Sequence, residues 1–264
     1  MAGERMRPLS GAPAERLRRV RFVLTDMDDT LTYHGALAAQ TYTALERLRR
    51  GGVPVIPVTA APAGWCDQMA RMWPIGGVIG ENGGFYFDSP GGGAVTRRFW
   101  HPDHERAAAA ARLDALAAVI AGRVPAARIA SDQPFRLTSL AYDAPADGGV
   151  RDALLAAFRD AGARVTVNSL WVLGWFGDYD KLAMARRVMA EAHGLSIDER
   201  GDEILYVGDS TNDAPMFAFF ANSAGVSTVT DFLPHLPVPP TWVTRGPGGA
   251  GFVEVADAIL LAKG

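Results

Sequence analysis

The stretch Val20–Thr30, VRFVLTDMDDT, joins a short apolar run to a cluster of acidic and hydroxyl side chains. Val20 to Leu24 is apolar apart from Arg21 and partly β-branched, which is typical of a buried strand. The polar cluster Thr25 to Thr30 follows at the carboxyl end of that strand, which is where open α/β sheets hold their ligands. The stretch therefore predicts both a parallel sheet and a binding site at one edge of it.

Strand-like and helix-like segments alternate on either side of a different central region. The first part continues with a helix over Leu37–Leu48, a strand over Val53–Val58, a helix over Gly64–Trp73 and a strand over Gly77–Gly80. The last part has a helix over Lys181–His193, a strand over Ile204–Val207, a helix over Pro215–Phe220, a strand at Trp242–Val243 and a helix over Phe252–Leu261. This alternation predicts an α/β fold with a doubly wound parallel sheet.

The central region has short strand-like segments in neighbouring pairs. They cover Phe85–Phe87, Phe135–Tyr142, Arg164–Asn168 and Leu170–Phe176, with helices predicted over Pro102–Ala121 and Val150–Ala161. Such a pattern favours an antiparallel sheet with helices on one face. We therefore predict a flexible tail over residues 1–19, a catalytic core over residues 20–84 and 179–264, and an inserted α+β domain over residues 85–178.

The composition favours a small soluble partner. Charged residues make up 21% of the 264 residues and the net charge is -3, so no field of one sign favours nucleic acid or an anionic membrane. No apolar run approaches the about 18 residues that span a bilayer. The single cysteine, Cys66, cannot form an internal disulfide, which fits a reducing compartment. We expect a cytoplasmic protein.

Three polar clusters and one lysine fall at or near predicted strand ends. They are Asp26 to Thr30, Thr59, Gly208 to Asp213, and Lys181 at the start of a helix. Each has an ordinary alternative, because acidic residues in turns are often helix caps or solvated, and a single lysine is usually on the surface. Two acidic motifs, each after a predicted strand, favour a common site.

These residue types match the needs of phosphoryl transfer, namely a nucleophile, an acid or base, hard oxygen ligands and a fixed positive charge. Carboxylates crowded at one end of a sheet repel each other, so a cation or a raised pKa must relieve them. We predict that Asp26, Asp209 and Asp213 hold Mg²⁺ and that Lys181 balances the charge of the nucleophile.

The order of these residues resembles the four motifs of the haloacid dehalogenase (HAD) superfamily. The matching residues are Asp26-x-Asp28-x-Thr30, Thr59, Lys181 and Gly208-Asp209-x-x-Asn212-Asp213. The resemblance implies a HAD-like core in which Asp26 is the nucleophile, Asp28 is the general acid and base, and Thr59 binds phosphate. It also implies that the main-chain carbonyl of Asp28 joins the metal ligands, and that Lys181 and Asn212 lie beside the substrate.

The central insertion resembles the type 2 cap of sugar-phosphate phosphatases. Glu81-Asn82-Gly83-Gly84 and Asn168-Ser169 are similar to that subfamily as well, although Asn82-Gly83 also suits a simple tight turn. One departure is the sequence Thr59-Ala60-Ala61-Pro62, where many members have Gly-Arg after the threonine.

Three residues of the insertion are candidates for binding substrate. Arg136 is a possible replacement for the missing arginine, with an exposed strand position as the alternative. Trp171 and Trp175 lie an even number of residues apart, so they face the same side of a strand. They either stack on a sugar ring or pack against the helices of the insertion.

The resemblance implies a magnesium-dependent phosphatase that acts on a small phosphate ester such as a sugar phosphate. Two alternatives stay open at this point. One is a phosphomutase of the phosphomannomutase type, which needs a bisphosphate activator. The other is a catalytically silent binding protein, because a fold does not determine a function.

Overall fold

The computed structural model describes residues 6–168 and 170–264. Its strands are β1 Arg7–Pro8, β2 Phe22–Thr25, β3 Val55–Pro57, β4 Val78–Gly80, β5 Phe85–Asp88, β6 Thr96–Phe99, β7 Leu140–Asp143, β8 Arg164–Val167, β9 Trp171–Trp175, β10 Ile204–Gly208, β11 Ser223–Gly225 and β12 Trp242–Val243.

Its α-helices are α1 Ala14–Arg19, α2 Ala39–Arg50, α3 Ala63–Met72, α4 Asp103–Arg123, α5 Gly148–Asp160, α6 Lys181–His193, α7 Ile197–Arg200, α8 Ala214–Phe219 and α9 Gly248–Lys263. Short 3-10 helices cover Leu9–Gly11, Glu81–Gly83, Pro90–Gly92, Gln133–Phe135, Gly201–Glu203, Thr211–Asp213 and Ser227–His235. No helix in these described parts is long and apolar enough to cross a membrane.

A six-stranded parallel sheet in the order β1-β12-β11-β10-β2-β3 confirms the predicted α/β fold. One face packs against α2 and α9 through residues such as Leu45 and Phe252, and the other packs against α6 and α8 through residues such as Met184 and Phe217. The strands β2 and β10 are neighbours near the centre, and Thr25 pairs with Val207. The polar residues that follow these two strands therefore emerge side by side.

The insertion has its own antiparallel sheet in the order β7-β9-β8. One face of this sheet packs against α4 and α5 through Leu116, Phe158 and Val172. The other face carries Trp171, Leu173 and Trp175, which cluster with Ala60 and Tyr179. Successive residues of β9 thus point in turn to the helices of the insertion on one side and to the core on the other.

The predicted start of the insertion at residue 85 is wrong. The strands β4, β5 and β6 form a three-stranded antiparallel sheet, and Phe85 and Phe87 pack with Met27 and Cys66 of the core. The hairpin of β5 and β6 thus belongs to the core, and the insertion begins after Phe99. A hairpin rich in aromatic residues has the same sequence pattern whether it packs on the core or on the insertion. The sequence therefore does not reveal its packing partner.

The predicted flexible tail is also wrong for the described residues from Met6 onward. Strand β1 pairs with β12, and α1 packs on α9. Leu9 and Leu17 are each only 4% exposed and belong to the core cluster around α9. Strand pairing, these two apolar side chains and a hydrogen bond from Arg18 to Ala262 O hold the segment in place.

Candidate active site

Three carboxylates converge where β2 and β10 end. One oxygen from each of Asp26, Asp209 and Asp213 lies within 4.8 Å of the others, and all three residues are buried. The main-chain N–H of Asp26 donates to Val207 O at 2.9 Å, which places Asp26 beside the loop that follows β10. A Cβ on Gly208 would lie 2.5 Å from Asp213 Oδ2, so this glycine permits the close approach of the third carboxylate.

Lys181 bridges two of these carboxylates. Its Nζ donates to Asp26 Oδ1 at 2.7 Å and to Asp213 Oδ1 at 2.9 Å. The side chain of Asp180 caps helix α6 by accepting the N–H of Ala183 at 2.8 Å, and this cap sets where Lys181 begins the helix. Although burial lowers the pKa of Lys181, the carboxylates of Asp213 and Asp26 raise it above its ordinary value. The lysine is a fixed positive charge.

Asp213 is held by several donors besides Lys181. The hydroxyl of Tyr206 donates to its Oδ1, and the N–H groups of Asp209 and Ser210 donate to its Oδ2 at 3.0 and 3.3 Å. The hydroxyl of Thr30 donates to Asp209 Oδ1 at 3.0 Å. The oxygens are therefore oriented by the protein before any ligand arrives.

The cluster has more carboxylates than the single positive charge of Lys181 can balance. Burial raises the pKa of Asp26, and the neighbouring carboxylates add to this effect while Lys181 opposes it. Burial and then Asp213 raise the pKa of Asp209 to about 7. Preoriented carboxylate oxygens are hard donors of the kind that Mg²⁺ prefers, and a bound cation would favour their ionised forms. The residues present thus fit a magnesium ion held by Asp26, Asp209 and Asp213.

Asp28 and Thr59 follow the neighbouring parallel strands β2 and β3. Burial raises the pKa of Asp28 to about 6; the charges of Lys181 and Arg136 oppose this rise, and those of Asp29 and Asp132 add to it. Thr59 directly follows the bridge at the end of β3 and is fully buried, and its Oγ1 accepts the N–H of Ala61 at 3.0 Å. Asp28 lines the same cavity as Asp26, whereas Thr59 does not line it, and the role of Thr59 in binding phosphate stays a prediction.

A cavity of about 610 Å³ opens from this cluster. Asp26, Asp28, Asp209 and Asn212 line it, whereas Lys181 and Asp213 lie behind them. Its lining also includes residues that the sequence did not suggest, namely Tyr33, His34, Thr228, Asp231 and Phe232. Tyr33 and His34 lie soon after the first motif, at a turn in which His34 and Gly35 have positive φ.

Arg136 does not occupy the predicted position. It lies after a 3-10 helix rather than in a strand, and its side chain is 0% exposed. The guanidinium donates to both carboxylate oxygens of Asp132, to Ala60 O at 3.0 Å and to the hydroxyl of Ser139. Because these bonds occupy the guanidinium, the predicted role in binding substrate does not fit.

The two tryptophans share one face of β9, as predicted, but they do not line the large cavity. The guanidinium of Arg136 lies 4.7 Å from the ring of Trp171. The Nε1 of Trp175 donates to Tyr179 O at 3.1 Å, and its ring lines a separate cavity of about 190 Å³ that also borders Lys181. Both rings lie between the insertion and the core, outside the large cavity and on the face of β9 opposite the helices of the insertion, so neither predicted environment is the observed one.

Glu81 joins the insertion to the core. Its carboxylate accepts the N–H groups of Ala63, Leu137 and Thr138, and the hydroxyls of Thr138 and Ser139. In the first half of the predicted strand Phe135–Tyr142, these bonds take the place of hydrogen bonds to a neighbouring strand. The observed strand therefore starts only at Leu140. Asn168 lines the large cavity, whereas the predicted Asn168-Ser169 pair extends to a residue outside the described ones.

No protein-family model matches the chain, and no curated protein matches it in sequence. Solved structures do match its fold. Protein 0175 of Thermoplasma acidophilum has 21% identity and a TM-score of 0.73, over 92% of this chain and 99% of that one. The trehalose-6-phosphate phosphatase C-terminal domain of C. albicans has 12% identity and a TM-score of 0.70, over 98% and 99%.

A haloacid dehalogenase-like hydrolase from Bacteroides thetaiotaomicron has 15% identity and a TM-score of 0.65, over 91% of this chain and 99% of that one. The chain has the haloacid dehalogenase fold. Its inserted domain is part of that likeness, because the matches extend over more than nine tenths of both chains. The predicted fold is therefore confirmed.

Proposed function

We propose that this protein is a magnesium-dependent phosphatase that forms an aspartyl phosphate on Asp26. The observation that carries the proposal is the contact of Lys181 Nζ with both Asp26 and Asp213, at the same cavity end that Asp28 and Asp209 line. A nucleophile, an acid or base, metal ligands and a fixed cation are thus in one place. The HAD fold supports this chemistry by analogy only.

In the first step, a carboxylate oxygen of Asp26 bonds to phosphorus while the bond from phosphorus to the ester oxygen breaks. Asp28 gives its proton to that leaving oxygen. In the second step, Asp28 takes a proton from water, the water oxygen bonds to phosphorus, and Asp26 is released with inorganic phosphate. When bound, magnesium supplies positive charge that offsets the carboxylates and the phosphoryl oxygens.

The two carboxylates need different protonation states. Burial raises the pKa of Asp26, Lys181 at 2.7 Å opposes that rise, and a bound Mg²⁺ would favour the ionised form further. Asp28 has no direct contact with Lys181, and its pKa of about 6 leaves a fraction protonated near neutral pH. Asp28 can therefore donate a proton and afterwards accept one.

The substrate we propose is a small sugar phosphate. The cavity of about 610 Å³ is larger than a phosphate needs and falls within the range of ligand sites for small molecules. The C. albicans neighbour is a trehalose-6-phosphate phosphatase, which is consistent with a sugar in the remaining space.

Replacing the nucleophile tests the proposal. Asp26→Asn should abolish phosphate release from a panel of sugar phosphates and from 4-nitrophenyl phosphate, and acid quenching should trap phosphate on the unaltered protein only. Asp257→Asn is a matched control, because this side chain is 54% exposed on α9. Undiminished turnover in Asp26→Asn, or trapped phosphate on another residue, would show that the mechanism is wrong.

A further inference from the structure

The large cavity is acidic along its whole length. Its lining includes the aspartates Asp26, Asp28, Asp29, Asp209 and Asp231, and no lysine or arginine among the residues that the structure describes. The only basic side chain of that lining is His34. The charge of the cavity is therefore opposite to what a strongly anionic ligand needs.

The cations nearest to the cavity already have partners. Lys181 donates to Asp26 and Asp213. Arg164 lines the separate, smaller cavity and forms ion pairs with Asp178 at 3.1 Å and Asp180 at 3.3 Å. Arg136 donates to Ala60 O at 3.0 Å, but it is buried and paired with Asp132. None of these three cations lines the large cavity.

The phosphoryl group must lie at the end of the cavity formed by Asp26, so the leaving group lies against the rest of the lining. Asp231 and Phe232 border it from the Ser227–His235 segment, and Asn168 borders it from the insertion. A second phosphate or a carboxylate there would face Asp29 and Asp231, with His34 as the only basic side chain among the described lining residues. Burying or crowding such an anion without arginine, lysine or a metal is costly.

The same surface suits uncharged hydroxyl groups. Thr228, Asn168 and Asn212 line the cavity with neutral polar side chains, which can exchange hydrogen bonds with ligand hydroxyls. Asp231 offers acceptor oxygens, and Tyr33 and Phe232 expose 38% and 36% of their surface for contact with the C–H faces of a sugar.

We infer that this cavity selects phosphate monoesters whose leaving group is uncharged and rejects substrates with a second anionic group. This inference rests on the proposed phosphatase function and narrows its substrate class. It also disfavours the mutase alternative, because a mutase must bind a bisphosphate activator in the same space.

A pair of substrates that differs in one charge tests the inference. The pair is 4-carbamoylphenyl phosphate, with a neutral amide, and 4-carboxyphenyl phosphate, with a carboxylate of similar size. Solvent screens part of the repulsion from the exposed Asp231, so we expect kcat/KM to be about 10 to 100 times higher for the amide at low salt. The ratio should fall as the salt concentration rises.

Charge variants of the cavity assign the effect to this lining. Asp231→Asn should reduce the ratio and Asp231→Arg should reduce it further, while Asp257→Asn should leave it unchanged. Glucose 1,6-bisphosphate should likewise be a poorer substrate than glucose 6-phosphate and should not activate the enzyme. Equal kcat/KM for the amide and the carboxylate in the unaltered protein would overturn the inference, as would equal effects of Asp231→Arg on both.

Failure of the proposed function would have a different result. In that case neither aryl phosphate would release phosphate in the presence of Mg²⁺, and the inference would fall with the function. If both esters are hydrolysed equally and Asp26→Asn abolishes both activities, the function stands and only the charge selection is wrong.

Discussion

Removing the carboxylate of Asp132 should destabilise the contact between the insertion and the core. Asp132 accepts two hydrogen bonds from Arg136, at 3.2 and 2.8 Å, and the two side chains are 8% and 0% exposed. The Asp132→Ala variant leaves a buried guanidinium without a counter-charge. Breaking such a buried pair costs about 3–5 kcal/mol.

The double variant Asp132→Ala/Arg136→Met separates the cost of the unpaired charge from the cost of lost packing. Methionine keeps apolar contact with Trp171 and needs no counter-charge. The double variant should therefore recover at least about 1 kcal/mol relative to Asp132→Ala alone. Equilibrium urea unfolding, followed by tryptophan fluorescence, measures both differences.

The pair Arg123 and Asp160 is a suitable control, because it has a short contact of 2.6 Å but is 47% and 61% exposed. Asp160→Ala should change the free energy of unfolding by no more than about 1 kcal/mol. The reasoning is refuted if Asp132→Ala costs no more than Asp160→Ala, or if the double variant is as unstable as the sum of its single variants.

Two further predictions concern the reaction itself. Removing divalent metal with a chelator should abolish phosphate release, and Mg²⁺ should restore it. Ca²⁺ should inhibit, because its larger and looser coordination shell holds the nucleophile less favourably. Activity that survives exhaustive chelation would contradict the metal site. Because Asp28 has a pKa of about 6 and acts first as an acid, kcat with a poor leaving group should fall as the pH rises through that value. The charge of Asp132 raises the pKa of Asp28 and the charge of Arg136 lowers it. Asp132→Asn should therefore move the fall in the pH–rate profile to lower pH, and Arg136→Met should move it to higher pH. Shifts of both variants in the same direction would contradict this account of the Asp28 pKa.

The parts of the structure that could be predicted depend on local signals. Helix α6 has the predicted bounds, Lys181–His193, because Asp180 caps its start and Gly194 ends it with a φ of 62°. The strand at Trp242–Val243 also has its predicted bounds. Strands β6 and β11 were missed, since Thr96–Phe99 and Ser223–Gly225 carry weak local patterns and are stabilised by their neighbours in the sheet.

By itself, the sequence determined the kind of fold and the identity of the residues at the strand ends. Apolar runs followed by Asp26 and by Gly208–Asp213 predict parallel strands with their polar residues at one edge, because the carboxyl ends of such strands meet there. Only the tertiary structure decided which distant residues touch. The contact of Lys181 with Asp26 joins residues 155 positions apart, and the burial of Arg136 depends on Ala60, which lies 76 positions away. Tyr33 and Asp231 line the cavity for the same reason. Their local sequences look like those of any exposed loop, and only long-range packing brings the two side chains to the cavity.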